Sequence, residues 1–339
     1  MIPFTARNPL NESDIRPQAL MAEQERRLFR DAEILASRKS EFVAVPCPAC
    51  GSDESSEKLI KQHAAFRECK SCATVFISPR PNAVILSGYR EHSESLRHWI
   101  KAIYPSSDEA RLERVFRPRA RKVAELCKMH GVRTGTVADI GAGYGTFCTA
   151  IAEIDRFEKI MAVEPVGELC ATIRARGLKA IESTIENANL QAGSCDVVTA
   201  FSVIDHVPDP AAFLQACHRV LKPGGIAILT CPNVKGFDIQ TMGDKSPAFD
   251  FEHLNLFNVQ SFGILAERCG FSILELNTPG ELDAQIVRNA VLSGAVTLEK
   301  DDFLRQILIE RWDVLGASFQ QFLADHALSS HLWFVGQRN

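Results

Sequence analysis

Between residues 136 and 232 the sequence repeats one arrangement: a short apolar run, a glycine or polar turn, and a stretch long enough for a helix. The runs read TVADIGAG, KIMAVEP, KAIES, DVVTAF and GIAILTCP. Apolar runs of this length bounded by turn residues are typical of buried strands, and strands that alternate with helices form a parallel sheet. FSILELN, after Gly270, and HLWFVGQ, near the end, read as two more strands. The pattern predicts a doubly wound α/β fold with a mostly parallel sheet.

The composition narrows the class of protein. The chain has 339 residues, of which 46% are hydrophobic, enough for a large core. It contains no apolar stretch long enough to span a membrane, and its first residues lack the apolar segment of a signal peptide, so we expect a cytoplasmic protein. Its net charge of −4 makes nucleic acid an unlikely partner, because such binders usually carry a basic face.

The sequence divides into four expected regions. Residues 1–43 read as an arm and a helix, and residues 44–81 as a cysteine-rich module. Residues 82–130 predict a helical linker or cap, with breaks at its prolines, Pro105 and Pro118. Residues 131–339 form the α/β domain, with a helical insertion at 282–328. An apolar stripe in this insertion is typical of a core face or a homodimer contact; it consists of Leu304, Ile307, Leu308, Trp312 and Leu315.

Two CxxC pairs form the cysteine-rich module. Cys47 and Cys50 are followed, after 18 residues, by Cys69 and Cys72. This spacing is typical of a zinc site in which each pair supplies two thiolates. Four protein sulfurs leave no position for water, so the predicted Zn²⁺ is structural. A redox CxxC is the competing interpretation, but it does not predict a second pair. The module reads as a scaffold or a lid on the substrate side.

A glycine turn follows the first strand of the α/β domain. Gly141, Gly143 and Gly145 are spaced GxGxG, which departs from the GxGxxG of dinucleotide-binding proteins and disfavours an NAD-dependent oxidoreductase. Asp139 precedes the turn, where it could face a ligand ammonium group. The next strand ends in Glu164, the position at which doubly wound folds bind ribose hydroxyls.

These segments resemble a known family. VADIGAGYGTF, AVEP, CDVVTAFSVIDHVPDP and VLKPGGIAILTCPN are similar, in order and spacing, to the motifs of class I S-adenosylmethionine-dependent methyltransferases. The resemblance implies a seven-stranded sheet with S-adenosylmethionine across the carboxyl ends of its strands. It also implies a cofactor site, in which Asp139, Gly141 and Gly143 line the methionine part, Glu164 the ribose, Thr184 and Ile185 the adenine, and Ser202 and Asp205 the reactive methyl.

Two clusters could remove a proton from a methyl acceptor. Asp205 and His206 follow the fourth strand, and His253 lies in the loop beyond the fifth. Because such loops meet at the ligand crevice, all three are candidate catalytic residues. His253 ranks first as general base, the alternative being a histidine that orders its loop, and His206 ranks as a residue of the cofactor pocket. A Mg²⁺ site built from Asp205, Glu252 and His253 is a further hypothesis.

The acceptor is inferred by analogy. The zinc module and methyltransferase motifs together resemble enzymes that methylate sugars in surface-glycan and deoxysugar pathways. The sugar C-methyltransferases among these usually continue into another C-terminal domain, which this sequence does not predict. We therefore expect O-methylation of a sugar, glycan or small-molecule precursor. The alternatives are sugar C-methylation, a zinc-containing rRNA methyltransferase and a non-catalytic cofactor-binding protein. After the fourth strand the sequence reads FSVI, where enzymes that methylate the amino groups of DNA bases carry a different motif. This disfavours methylation of DNA-base amino groups.

Overall fold

The computed structural model describes residues 10–299 and 301–339. The first nine residues of the predicted arm lie outside this range. The strands are β1 (Ser55–Lys61), β2 (Ala64–Cys69), β3 (Val75–Ile77), β4 (Thr136–Ile140), β5 (Lys159–Glu164), β6 (Ala180–Glu182), β7 (Cys195–Phe201), β8 (Leu221–Pro232), β9 (Asn255–Leu256), β10 (Phe271–Asn277) and β11 (His331–Arg338).

The α-helices cover both faces of the larger sheet and fill the segments before and after it. They are α1 (Glu12–Ile15), α2 (Gln18–Ala36), α3 (Ala83–His92), α4 (Glu94–His98), α5 (Tyr104–Arg111), α6 (Arg117–Met129), α7 (Thr146–Ala152), α8 (Gly167–Ala175), α9 (Pro210–Val220), α10 (Phe237–Met242), α11 (Val259–Arg268), α12 (Asp283–Leu292), α13 (Asp302–Arg305) and α14 (Trp312–Asp325). No helix of the described ranges is both long and apolar enough to cross a membrane.

The larger sheet has seven strands in the order β10-β11-β8-β7-β4-β5-β6. Strands β8, β7, β4, β5 and β6 run parallel, whereas β11 pairs antiparallel with β8 and β10. The predicted doubly wound α/β fold is confirmed. The carboxyl ends of β4, β5, β7 and β8 share one edge, and His331 at the start of β11 lies there too, opposite Pro232.

The cysteine-rich segment forms a second, smaller sheet. Its order is β1-β2-β3-β9, and all its pairings are antiparallel. The last strand, β9, comes from far along the chain, where Leu256 pairs with Val75 and Asn255 with Phe76. The expected boundary at residue 81 therefore misses one strand of this sheet, because a two-residue strand without a distinctive pattern carries no signal of its partner.

The helical segment before the larger sheet does not break at its prolines. Two π-helical turns, Trp99–Ile103 and Leu112–Phe116, join α4, α5 and α6 into one continuous helix. Pro105 and Pro118 each lie two residues after such a turn. A proline removes a helical hydrogen bond and crowds the preceding turn, and a wider turn accommodates both effects. The predicted breaks are therefore wrong, because the backbone widens instead.

The helical insertion has its own small core. Ile307 and Leu308 are buried there, and the other members of the predicted apolar stripe are partly buried against them. That stripe therefore packs within the insertion and against Phe237 and Met242 of α10, which makes it a core face.

Candidate active site

The glycine turn after β4 has a backbone that only glycine adopts readily. Gly141 and Gly143 have φ of 65° and 55°, in the left-handed region. A side chain at Gly141 would also lie 2.5 Å from Val203 Cγ2. The turn is fastened to β5, because Gly141 N donates to the carbonyl of Val163 at 2.8 Å. The sequence forms a fixed cradle of backbone at the sheet edge.

Glu164, the last residue of β5, is joined directly to this turn. Its Oε2 accepts from Gly143 N at 2.9 Å and its Oε1 from Val166 N at 3.0 Å. Burial raises the pKa of Glu164 to about 7, although both backbone N–H groups oppose the shift. Each carboxylate oxygen keeps a second lone pair, which a ribose hydroxyl could use. The residues present therefore fit an adenosyl ligand.

Asp139 lies on β4 with both carboxylate oxygens occupied. Oδ1 accepts from Thr199 Oγ1 at 2.7 Å, and Oδ2 accepts from Cys148 Sγ at 3.5 Å. Burial raises the pKa of Asp139 to about 7, and these two bonds act against the rise. The side chain is thus tied into the core beside the turn.

The other predicted cofactor residues lie on the same edge. Ser202 directly follows β7 and has φ of 56°, a conformation that non-glycine residues adopt mainly where the surroundings enforce it. Its N–H donates to Thr230 Oγ1 at 3.2 Å. Thr184 and Ile185 follow β6, the neighbour of β5, and Ile185 is buried.

A roof of aromatic side chains, which sequence reasoning missed, covers the turn. The hydroxyl of Tyr104, on α5, lies 3.9 Å from the position that a Cβ of Gly143 would occupy, and its ring stacks on Tyr144. Asp108, on the same helix, accepts from Thr146 Oγ1 at 2.6 Å and from Arg176 Nη2 at 2.7 Å. These bonds hold α5 over the start of α7.

The two candidate histidines meet around Asp205. His206 Nε2 lies 3.4 Å and His253 Nε2 3.6 Å from Asp205 Oδ2, and the ring centres are 4.6 Å apart. Asp205 is buried, and neither of its oxygens has a hydrogen-bond partner among the residues described. His206 Nδ1 is 2.9 Å from the carbonyl oxygen of Glu252, and His253 Nδ1 is 2.9 Å from Asp250 Oδ1, an ion-pair contact rather than an aligned hydrogen bond.

The surrounding carboxylates keep His253 protonated. Burial lowers the pKa of His253, but Asp250, Asp205 and Glu252 outweigh burial and raise that pKa to about 9. In the free protein at neutral pH, His253 is therefore an imidazolium between two aspartates.

The Mg²⁺ set predicted from Asp205, Glu252 and His253 is not assembled. The carboxylate of Glu252 instead accepts from the hydroxyl of Tyr89 at 2.6 Å. The ligand atoms that do lie within 4.8 Å of one another belong to Asp205, His206 and His253. A cation hypothesis at this position therefore involves His206 in place of Glu252.

The four cysteines of the small sheet converge on one point. The Sγ atoms of Cys47 and Cys72 are 3.5 Å apart, those of Cys50 and Cys69 are 3.6 Å apart, and all four lie within 4.8 Å of one another. Sulfurs around a tetrahedral zinc with bonds of about 2.3 Å are separated by about 3.8 Å, whereas a disulfide needs about 2 Å. The four thiols therefore suit one zinc ion.

The cysteine sheet also supports the loop that carries His253. Ile77 N donates to the carbonyl of Leu254 at 3.0 Å, next to His253 in the chain. Arg80 Nη1 donates to Asn255 Oδ1 at 2.8 Å, and Asn258 Nδ2 donates to the carbonyl of Cys72 at 2.9 Å. The cysteine module and the histidine loop form one packed unit.

Comparison with known proteins agrees with this architecture. Residues 109–276 match the family described as a methyltransferase domain. The ubiquinone biosynthesis O-methyltransferase of Xanthomonas oryzae pv. oryzae is 35% identical over 104 residues, which are 29% of this chain and 43% of that protein. Its counterpart in Pseudomonas paraeruginosa is 36% identical over 110 residues, 30% of this chain and 47% of that protein. The chain thus spans less than half the length of these relatives.

Two solved structures are similar to the chain at low identity. A methyltransferase from Clostridium acetobutylicum has a TM-score of 0.46 and 11% identity, and covers 70% of this chain and 96% of its own. Phosphoethanolamine N-methyltransferase 2 of Haemonchus contortus, in complex with S-adenosylmethionine, has a TM-score of 0.45 and 20% identity. The match covers 64% of this chain and 52% of that protein. The sheet order, the family match and the sequence relatives define the class: the chain carries a class I S-adenosylmethionine-dependent methyltransferase domain.

Proposed function

We propose that the chain transfers the methyl group of S-adenosylmethionine to a hydroxyl group of a small acceptor, a sugar or glycan precursor, with His253 as general base. The observation that carries this proposal is the position of His253 between Asp250 and Asp205, on a loop that follows the same sheet edge as the glycine turn. The O-methyltransferase names of the sequence relatives support oxygen as the methylated atom.

The cofactor supplies an electrophilic methyl group, so the protein has to hold it and align the acceptor. Glu164 would accept hydrogen bonds from the ribose, and the backbone of Gly141 and Gly143 allows close approach of the methionine part. Tyr104 and Tyr144 would cover the ligand and exclude water.

His253 would take the acceptor proton at Nε2. Asp250 faces Nδ1 and so orients the ring, as a carboxylate does in hydrolytic triads. After the transfer, the proton would stay on an imidazolium that Asp250 and Asp205 stabilise, since these carboxylates already raise the pKa of His253 to about 9. His253 would therefore act from its deprotonated form. As it takes the hydroxyl proton, the acceptor oxygen would bond to the methyl carbon while the carbon–sulfur bond breaks, and S-adenosylhomocysteine would leave.

The four cysteines would hold a structural zinc ion that supports the histidine loop. Their thiolates complete the coordination shell, so the ion itself would not contact substrate. Its role is to fix the small sheet on which Leu254 and Asn255 are bonded.

One experiment tests the proposal against its alternatives. The protein is first titrated with S-adenosylhomocysteine and with NADH, and we expect binding of the former only. It is then incubated with methyl-labelled S-adenosylmethionine and extract of the source cell. Label in a small sugar fraction, released by ether cleavage, supports O-methylation. Label that resists such cleavage indicates C-methylation, label in rRNA indicates the RNA alternative, and binding without any labelled product indicates a non-catalytic protein; each of these outcomes contradicts the proposal.

A further inference from the structure

Arg119 lies at the carboxyl edge of the larger sheet, near the start of α6. Its guanidinium carbon is 5.0 Å from the ring centre of Phe201, the last residue of β7, and 5.6 Å from that of Phe116. Its Nη2 donates to His331 Nε2 at 3.2 Å, and His331 begins β11 opposite the end of β8. The guanidinium therefore lies where β7 and β8 end, over the residue that precedes Ser202 in the chain, at the edge where the proposed function expects the acceptor.

Arg119 has no anionic partner in the described part of the chain. Two other half-buried arginines have one: Arg114 pairs with Asp14, and Arg176 with Asp108 at 2.7 Å. The carboxylate that acts on Arg119 is that of Glu281, which is beyond ion-pair distance. Burial lowers the pKa of Arg119 to about 10, so it stays charged at neutral pH. A half-buried cation without a counter-ion carries a desolvation cost, which an anionic ligand would offset.

His331 orients Arg119 without neutralising it. Burial, together with the charge of Arg119, lowers the pKa of His331 to about 3, so its ring is neutral and accepts a hydrogen bond from the guanidinium. A guanidinium has five N–H donors, and in residues 10–299 and 301–339 only this one is used. The remaining fork is free for a bidentate oxyanion.

A second arginine without a carboxylate partner among the described residues lies on the same continuous helix. Arg111, one π turn earlier on the same continuous helix, stacks over Trp99 at 5.7 Å and Tyr104 at 5.6 Å. It donates to Ser107 Oγ and to the carbonyl of Ile15, but to no carboxylate of the described residues. The charge of Arg111 lowers the pKa of Arg119, so the two guanidinium groups are close enough to repel each other. An anion bound by either group would relieve this repulsion.

We propose that Arg119, held by His331 and assisted by Arg111, binds an oxyanion of the methyl acceptor, a phosphate or a carboxylate, so that the acceptor is an anionic small molecule. This inference rests on the proposed function. It places the charged end of the acceptor over Phe201 and its hydroxyl toward His253. An uncharged sugar leaves Arg119 unpaired, whereas a phosphorylated or acidic sugar satisfies it.

The test uses simple anions and the full chain. Wild-type protein saturated with S-adenosylhomocysteine is titrated calorimetrically with inorganic phosphate and with acetate, at low ionic strength. We expect at least one of the two to bind, and Arg119→Gln to weaken that binding at least tenfold. Phosphate binding alone indicates a phosphorylated acceptor, and acetate binding alone an acidic one. The matched control is Arg121→Gln, the same charge change on the exposed side of α6, which should bind as the wild type does.

Three results would overturn the inference: binding of neither anion, equal binding by Arg119→Gln, or a variant that binds S-adenosylhomocysteine weakly and 5′-methylthioadenosine normally. The last result assigns Arg119 to the carboxylate of the cofactor. Arg119→Lys keeps the charge but loses the two-pronged geometry of the guanidinium. Its anion affinity should lie between those of wild type and Arg119→Gln, and it replaces Arg119→Gln in the test if that variant misfolds. Failure of wild type to bind S-adenosylhomocysteine instead refutes the proposed function, and titration of the free protein still measures the Arg119 site.

Discussion

The cofactor side and the acceptor side of the candidate active site differ in how their charged groups are partnered. On the cofactor side, both carboxylate oxygens of Glu164 and both of Asp139 are hydrogen-bonded within the protein. On the acceptor side, both oxygens of Asp205 lack hydrogen bonds, and Arg119 lacks a carboxylate, among the residues described. One side is complete without its ligand, and the other is not.

This difference has a physical reason: the cofactor side binds a ligand common to the whole class, whereas the acceptor side recognises one particular acceptor. Every methyltransferase of this class binds the same cofactor, so its cradle can be built from contiguous backbone and kept rigid. An acceptor is recognised by groups that it alone satisfies, because a buried polar atom left unpaired penalises every wrong ligand. The unpartnered groups around Asp205 and Arg119 are therefore where acceptor specificity should lie.

The largest expected effect is that of removing the base. His253→Ala should lower kcat by about 10²- to 10⁴-fold, because the acceptor hydroxyl loses its proton acceptor. The affinity for S-adenosylhomocysteine, measured by calorimetry, should stay unchanged, since His253 belongs to the acceptor side. His326→Ala, on the exposed surface, is the matched control. Undiminished turnover of His253→Ala would remove this residue as base.

The pH dependence of kcat/KM in the wild type is a second test of His253 as general base. Because only the deprotonated imidazole accepts a proton, kcat/KM should rise with pH until about 9, the pKa of His253 in the free protein. A profile that is flat above neutral pH would contradict the assignment.

The next effect concerns the zinc module, which supports the acceptor side. Cys50→Ser should abolish the binding of one zinc ion per chain and lower Tm by more than about 5 °C, because a structural zinc contributes several kcal/mol. Turnover should fall more than cofactor affinity, since the bonds of this module go to the loop at 254–258. Metal analysis and calorimetry check both points. Cys269→Ser, a buried thiol outside the cluster, should keep its zinc. Equal losses of turnover and of cofactor affinity would show that the module stabilises the whole fold.

The same comparison explains how much the sequence could predict. The strands, the glycine turn, Glu164 and the two CxxC pairs depend on neighbours within a few residues, so local patterns identify them. Arg119 and His331 are 212 positions apart, and Tyr89 and Glu252 are 163 apart. No local pattern links such pairs, because their contact is created by the packing of whole elements.

Two local predictions also failed for a structural reason. Pro105 and Pro118 did not end a helix, since π turns absorbed them. Glu252 did not join Asp205, since Tyr89 competes for its carboxylate. The first failure is a local adjustment of the backbone, and the second comes from a partner 163 positions away that the sequence pattern does not reveal.

On the cofactor side, a mutation should affect binding rather than chemistry. Glu164→Gln should weaken S-adenosylhomocysteine by roughly ten- to a hundredfold, because a hydrogen bond to a charged group contributes about 1.5–3 kcal/mol. The turnover of enzyme saturated with cofactor should change little. Glu182→Gln, the same change at the end of the neighbouring strand, is the control. A variant that binds normally but turns over slowly would reverse the roles we assign to the two sides.

The smallest expected effect is the pH dependence of cofactor binding. Burial raises the pKa values of Asp139 and Glu164 to about 7 in the free protein, so both carboxyls carry protons below that pH. A ligand ammonium and ribose hydroxyls favour the ionised forms, so binding should release protons. For each group involved, the affinity for S-adenosylhomocysteine should rise by up to about tenfold per pH unit until about pH 7.

The stability of the free protein should fall with pH over the same range, opposite to the affinity. A carboxyl whose pKa is higher in the folded state loses stability as pH rises from its unfolded value to about 7, and the ligand should restore part of it. Calorimetry and thermal melts across this range check both trends. Glu164→Gln should flatten the first, and affinity that falls with pH would show that these carboxyls do not meet the ligand.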